Sequence, residues 1–312
     1  MAEAIAANER VTIADMSPRR HRGLWSNAFR RLARNRLALI SMGILLAMIV
    51  LAILGNYVDW VQRYEPSAQD YSVRRAGPSA EHWFGTDSLG RDNWSRVLQG
   101  TWISLRVGLG VQAVVVVIGV LIGGTAALGG RWLDNLMMRL TDLAYAFPDL
   151  LFIILLSATF QGRQGMPIIG DPLFQMILAI SFVAWVTIAR LVRGQMLALS
   201  EQDFVTAARA TGLPEWRIVF QHMLPNALGP LIVAIVFGIP LAIFAAAVLG
   251  FIGIGMPPPT ASLGVLVSNG YDEIRTNIWL IVFPAGTIAI MMLCFTFLGD
   301  GLRDALDPRA RE

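Results

Sequence analysis

The sequence predicts an all-α, polytopic membrane protein with six transmembrane helices, and three observations predict it. Of the 312 residues, 55% are hydrophobic and 15% are charged, against about 25% charged in soluble domains, and the mean hydropathy is +0.57. A soluble chain of this composition could not cover its own core; a lipid-embedded chain has no need to. Six apolar runs approach the length of about 20 residues that a span requires: residues 37–57, 104–128, 143–160, 173–189, 228–253 and 278–298. The third and fourth are the shortest. Arginine is also unevenly placed: with the N-terminus inside, 17 of the 25 basic residues fall on inner segments, as the positive-inside rule requires.

The elements follow in order. Residues 1–36 form an Arg-rich cytoplasmic lead, with Arg30, Arg31, Arg34 and Arg36 packed just before the first span, 37–57. The length of this lead and of the apolar run argues against a cleaved signal peptide. Every basic residue is Arg and they form no compact basic domain, so nucleic-acid binding is a poor reading. Residues 58–103 form the longest extramembrane segment, on the outer side. Its first part has the Pro, Gly, Ser and charge content of an irregular loop. Beyond Phe84 it turns helical, with Trp94, Val97 and Leu98 on one face. That spacing predicts a surface helix leading into the second span, with Trp94 and Trp102 at the membrane interface. Residues 104–298 form the transmembrane core, interrupted by an inner segment, 190–227. In the cytoplasmic tail, 299–312, Leu298, Leu302 and Leu306 make one stripe and Pro308 a stop, which predicts a packing tail.

The residues needed for chemistry are missing at membrane depth. His21, His82 and His222 all lie outside the spans, so no Ser/His pair or His-based zinc site can form there. Cys294 is the single cysteine, which excludes an internal disulfide and a Cys-based metal site. No HExxH, GxSxG or GxxxxGK[ST] pattern occurs. The chain therefore reads as a non-enzyme with no cofactor of its own. An ion-coupled carrier keeps ionisable residues in mid-span, whereas Arg106, Asp142 and Asp149 lie at or near span ends. Asp149 follows a proline in "AYAFPDLL", where a helix starts or breaks. A pathway powered from elsewhere remains.

The stretch "EQDFVTAARATGLPEWRIVFQHMLPNALGP" (Glu201 to Pro230) breaks the apolar pattern. Phe204, Ala207, Ala208 and Thr211 define one face of a short helix. Gly212 suits the left-handed conformation that ends it, and Pro214 suits the first turn of a second helix. There Trp216, Val219, Phe220 and Met223 repeat the spacing, and "LPN" (Leu224, Pro225, Asn226) stops the helix before the fifth span. Helices shorter than about 12–15 residues are marginal alone in water, so both must be held by packing on the span ends. The alternative is an amphipathic connector lying on the membrane surface.

"TAARATGLPEWRIVFQHMLPN" resembles the EAA loop of ABC-importer permeases, whose pattern reads E-A-A, three residues, G, nine residues, I-x-L-P. Ala207, Ala208, Gly212, Leu224 and Pro225 match, Thr206 replaces the Glu, and His222 stands at the Ile position. "FGTDSLGRDNWSRVLQGTWISL" and "LGDGLRDALDPR" narrow the resemblance to the "C"-type permease of the dipeptide/oligopeptide/nickel family. Leu263 departs from it, since an aromatic is expected there. The resemblance implies a type I importer permease in the bacterial cell membrane, with both termini cytoplasmic. It implies a heterodimer with a homologous permease, two ABC ATPase subunits holding ATP and Mg, and an extracytoplasmic substrate-binding protein. Phe204, Thr206, Ala207, Ala208, Gly212, Trp216, Leu224 and Pro225 would then be the ATPase-coupling residues. Gly85, Thr86, Asp87, Gly90, Arg91 and Asp92 would be the extracytoplasmic family motif. Arg91 either neutralises a substrate carboxylate or pairs internally with Asp87 to fix a turn. Di- or oligopeptide is the leading substrate, nickel or another small solute the alternative. An ion-coupled secondary carrier is the rival from another class.

Overall fold

The computed structural model describes residues 24–161 and 170–307, and no strand occurs among the described residues. The helices are α1 (Leu24–Leu32), α2 (Arg36–Tyr57), α3 (Asn93–Leu128), α4 (Gly130–Tyr145), α5 (Asp149–Gln161), α6 (Pro172–Ser200), α7 (Asp203–Ala210), α8 (Glu215–Phe251), α9 (Leu263–Asp272) and α10 (Trp279–Leu306). Among the described residues, α2, α3, α6, α8 and α10 are long and apolar enough to cross a membrane. The bent pair α4–α5, whose axes meet at 84°, passes the same length and composition test only as a unit.

Four predicted elements change form. The run 143–160 is not one helix, because Pro148 has no N–H to donate and disfavours helical backbone at Phe147. With 13 residues, α5 is only about 20 Å long, short of the roughly 30 Å hydrocarbon core. The surface helix before the second span is not separate. Nothing breaks the chain after Asn93, so α3 runs for 36 residues with Val97 and Leu98 buried. Trp94 turns inward to donate its indole N–H to the Val61 carbonyl at 2.9 Å. The fourth span extends to Ser200, well past 189, because the arginines that ended the apolar run are neutralised. Arg193 makes a bidentate pair with Asp134 at 2.5 and 2.6 Å, and Arg190 meets Asp142 at 2.7 Å. The C-terminal tail is likewise the end of α10, with Gly301 and Ala305 buried; the expected stop at Pro308 lies outside the described residues.

Close glycine contacts give the helix directions. A Cβ at Gly110 would meet Ile177, one at Gly119 Ile188, and one at Gly123 Ala189 and Val192. Residue numbers rise together, so α3 and α6 are parallel neighbours. Gly108 against Ile243 and Gly238 against Gln112 make α8 antiparallel to α3. Gly299 against Phe237 and Gly229 against Leu306 make α10 antiparallel to α8, and Gly301 packs against Ala38 of α2. Both ends of the described chain meet, Arg31 Nη1 donating to the Asp307 carbonyl at 3.2 Å. This end also carries α7, the start of α8 and the end of α6. Residues 58–92 and α9 occupy the opposite end.

The α3–α6 seam is sharply testable. A Cβ at Gly123 would lie 2.3 Å from the Ala189 carbonyl oxygen, while one at Gly124 meets nothing within 4 Å. Gly123→Ala should lower stability by about 1–3 kcal/mol. Gly124→Ala should be neutral or stabilising by roughly 0.5–1 kcal/mol through helix propensity. Thermal unfolding of the detergent-solubilised protein distinguishes them.

Candidate functional site

The inner segment is built by two turns with different causes. At the end of α7, Gly212 has φ +77°. Its N–H donates to the Arg209 carbonyl at 2.9 Å and Leu213 N–H to the Ala208 carbonyl at 3.4 Å, the paired bonds of a Schellman cap. A Cβ at Gly212 would meet nothing within 4 Å, so glycine is needed there for the dihedral and not for space. Pro214, with φ −66° and ψ 143°, then redirects the chain into α8. Arg209 bridges the corner: Nε lies 2.8 Å from Glu215 Oε1, and Nη1 donates to the Ser200 carbonyl at 3.3 Å.

"LPN" does not stop the second helix. Val219–Met223 form a π-turn that runs straight into Leu224 and onward to Phe251. Pro225 has no N–H and crowds the carbonyl four residues back; one widened turn accommodates it. The Asn226 side chain supplies a donor to the His222 carbonyl at 2.6 Å. This segment is therefore the first part of a 37-residue helix long and apolar enough to cross a membrane.

The buried faces also differ from those predicted. Val205 and Ala208 hold α7 against the core, while Phe204, Thr206, Ala207 and Thr211 face outward. In α8, Ile218, Val219 and Met223 are buried, whereas Trp216 and Phe220 are exposed. The short apolar repeats allow two registers. Burial goes instead to Val205, Ala208, Ile218, Val219 and Met223, which share one continuous cluster with Val192 and Met196. Phe204, Trp216 and Phe220 are left 41%, 60% and 64% exposed, an apolar, aromatic face at the bundle end. Thr206 Oγ1 returns to the Gln202 carbonyl at 3.4 Å. Leu224 is half-buried and Pro225 exposed. Sequence reasoning missed Val205, Ile218 and the Arg209–Glu215 bridge. The available signal for the bridge was opposite charges flanking a Gly–Pro corner.

At the opposite end, the other predicted set folds into a closed turn. Gly85 and Gly90 both have φ +74°, and a Cβ at Gly90 would collide with the Asp70 carbonyl. Thr86 donates through Oγ1 to the Val73 carbonyl and accepts from Ala76 N–H at 3.0 Å. Asp87 Oδ1 accepts from the Leu89 and Arg91 amides, both at 2.9 Å. Its Oδ2 accepts from Arg91 Nε at 2.7 Å and from Arg96 Nη1. Asp92 caps α3, accepting from Ser95 N–H at 2.9 Å, and lies 2.9 Å from His82 Nδ1. Arg91 is thus an internal partner of Asp87. Nearby, Ser72, through its hydroxyl and then its amide, holds the Asp70 carboxyl below the usual range. Leu263, where an aromatic was expected, is fully buried at the start of α9.

Comparison with known proteins decides what these two ends belong to. The model of the family described as "binding-protein-dependent transport system inner membrane component" matches residues 116–312. The "N-terminal TM domain of oligopeptide transport permease C" matches residues 23–78. The chain belongs to this permease family. It is 37% identical over its full length to the oligopeptide transport system permease protein OppC of Bacillus subtilis, covering 98% of that protein. It is 39% identical to the dipeptide transport system permease protein DppC of the same organism, over 91% of this chain and 86% of that one. The fold resembles a chain of the inward-facing MetNI methionine ABC transporter, with a TM-score of 0.54 at 20% identity over 68% of this chain and 96% of that chain. This permease is accordingly a multi-pass membrane protein of an ABC importer, a transport subunit and not an enzyme.

The buried charges of this turn make a prediction. Asp87→Asn keeps the shape but leaves Arg96, 2% exposed, without its counter-charge. Breaking such a pair costs about 3–5 kcal/mol. Proteolysis of the 58–92 segment in intact membranes should accelerate, and Asp87→Asn/Arg96→Met should recover part of the loss.

Proposed function

We propose that this permease imports di- or oligopeptides, forming the translocation pathway with a homologous permease and driven by two ABC ATPase subunits. The ATPases hold ATP and Mg²⁺ and dock on α7 and the first turns of α8. An extracytoplasmic binding protein delivers the peptide at the opposite end. The observation that carries this reading is the aromatic face of Phe204, Trp216 and Phe220, placed on an inflexible corner. Aromatic anchors of this kind dominate protein interfaces. The names of the relatives support the peptide substrate.

The coupling route follows from α8. A push on Trp216 acts on the same helix that reaches Phe251, about 55 Å away. No loop lies between to absorb it; the π-turn at Val219–Met223 and the in-helix prolines Pro230 and Pro240 are the irregular places along it. The Schellman cap and the Arg209 bridge keep α7 at a set angle to this lever. An ion-coupled carrier is disfavoured by the charges themselves: Asp134 and Asp142 are paired with Arg193 and Arg190, and Asp149 opens α5.

The Arg bias supports a cytoplasmic α7 end, with segments 1–36, 129–142, 190–227 and 299–312 inside and 58–103 outside. Single-cysteine variants in a Cys294→Ser background test this. Ser79→Cys should react with an impermeant thiol reagent from outside and Gln202→Cys only after permeabilisation; the reverse pattern inverts every side assigned here.

Gly212→Val tests coupling. Strain at a left-handed position costs roughly 1–3 kcal/mol for a β-branched residue, small beside the burial of a six-span protein. Membrane abundance should stay normal, while ATPase co-purification and peptide uptake fall together. Thr206→Ala, at an exposed site, should be much milder. Wild-type association and uptake in Gly212→Val would make α7 a passive connector.

A further inference from the structure

At the end of the bundle opposite α7, a cavity of about 250 Å³ opens between α5, the start of α6 and the loop that follows α8. Ser157, Gln175, Met176, Gly253, Gly255 and Pro257 are among its lining residues, and none of the described lining residues is charged. Ser157 and Gln175 are both 5% exposed. The Ser157 hydroxyl has no hydrogen-bond partner. This is unusual within the molecule. Thr141, Thr159, Thr287 and Thr296 all return their hydroxyls to a carbonyl one turn back in their own helices, the common solution for a helical hydroxyl in an apolar setting. Ser157 does not, although a buried unpaired hydroxyl is destabilising.

The opposite wall is the far end of the coupling lever. Gly253, with φ +84°, caps α8 in the same way that Gly212 caps α7. Its N–H donates to the Gly250 carbonyl at 3.2 Å, and Ile254 N–H to the Leu249 carbonyl at 2.9 Å. Gly255 then folds back so closely that a Cβ there would lie 2.5 Å from the Gly250 Cα. The loop is therefore fastened to the helix, and its position follows that of α8.

We propose that this cavity is a contact site for one or two residues of the transported peptide, with Ser157 as a hydrogen-bonding partner of the peptide backbone. The proposal rests on the peptide-importer reading above. A volume below the roughly 300–1,000 Å³ of a drug-sized pocket suits a short part of the peptide and not the whole. The uncharged lining favours a neutral peptide group over either terminus. A serine hydroxyl is both donor and acceptor, so it meets a peptide N–H or C=O equally and leaves the side chains unread. Because α8 carries one wall, movement at Trp216 changes the shape of the site, which provides a means of releasing the peptide.

The test uses the assembled complex, permease pair, ATPases and binding protein, in proteoliposomes with trialanine as probe. If Ser157 were only structural, Ser157→Ala would remove an unsatisfied group, leaving thermal stability equal or higher and uptake unchanged. As a peptide contact, its loss should lower uptake at saturating loaded binding protein by about threefold to tenfold, in line with one hydrogen bond, with stability not reduced. Ser157→Trp should fill the cavity and abolish uptake. In a Cys294→Ser background, Ser157→Cys should react with a small methanethiosulfonate reagent, more slowly during trialanine turnover than with ATP alone. Wild-type uptake together with unchanged uptake in Ser157→Ala overturns the proposal alone. So does labelling that is blocked without peptide, which would show the cavity closed by the second permease. Absence of trialanine uptake in the wild-type complex overturns the peptide reading and this site with it.

Discussion

Helices α3 and α6 lie side by side in the same direction, in contact through Gly110, Gly119 and Gly123, and parallel neighbours cannot be joined by a short turn. The chain must cross back between them. That requirement accounts for the bent α4–α5 unit, which otherwise looks like a failed span: α4 lies at the α7 end and α5 returns toward the other. The glycines permit the close approach on which van der Waals packing in lipid depends. The return element is then tied to α6 by the Arg193–Asp134 and Arg190–Asp142 pairs. These two pairs set where α6 leaves the bundle, and therefore where α7 begins.

Lipid offers no partner for backbone N–H and C=O groups, so irregular backbone is confined to places where side chains or glycine caps complete the bonding. The π-turn before Pro225 and the two Schellman caps at Gly212 and Gly253 all follow this rule. Their consequence is mechanical. From Glu215 to Phe251 the chain is one helix with Pro230 and Pro240 inside it, so the exposed aromatic face and the cavity wall lie on the same element. An importer needs such a connection, because work done by a soluble partner must alter a site on the other side of the membrane.

The two ends use charge differently. At the end opposite α7, Asp87, Arg96, Asp92 and His82 are buried and Arg91 is half-buried; Asp87 holds both arginines and Asp92 meets His82, and this stiffens the entry to α3. At the α7 end, Arg209–Glu215 and Arg190–Asp142 are largely exposed, where such pairs contribute about 0–1 kcal/mol. The α7 end is thus held by apolar contacts through Val205, Ile218 and Met223 and by glycine geometry. Its exposed aromatic residues remain available to a partner.

Membrane embedding, the positions of the long helices, the left-handed corner at Gly212 and the turn around Asp87 were legible in the sequence. Each depends on composition or on residues close along the chain: an apolar run, a glycine before a proline, a carboxylate beside its own amides. Pro148 also announced a break, although not that the third crossing would be a bent pair. Three things were decided only by tertiary structure. Val205 and Ile218, not Phe204 and Trp216, face the core, because a short amphipathic repeat fits two registers and only the packed neighbours select one. Asp134 and Arg193 are 59 residues apart, so no local pattern pairs them. The cavity beside Ser157 joins three distant segments, and a void between helices exists only once their directions and distances are set.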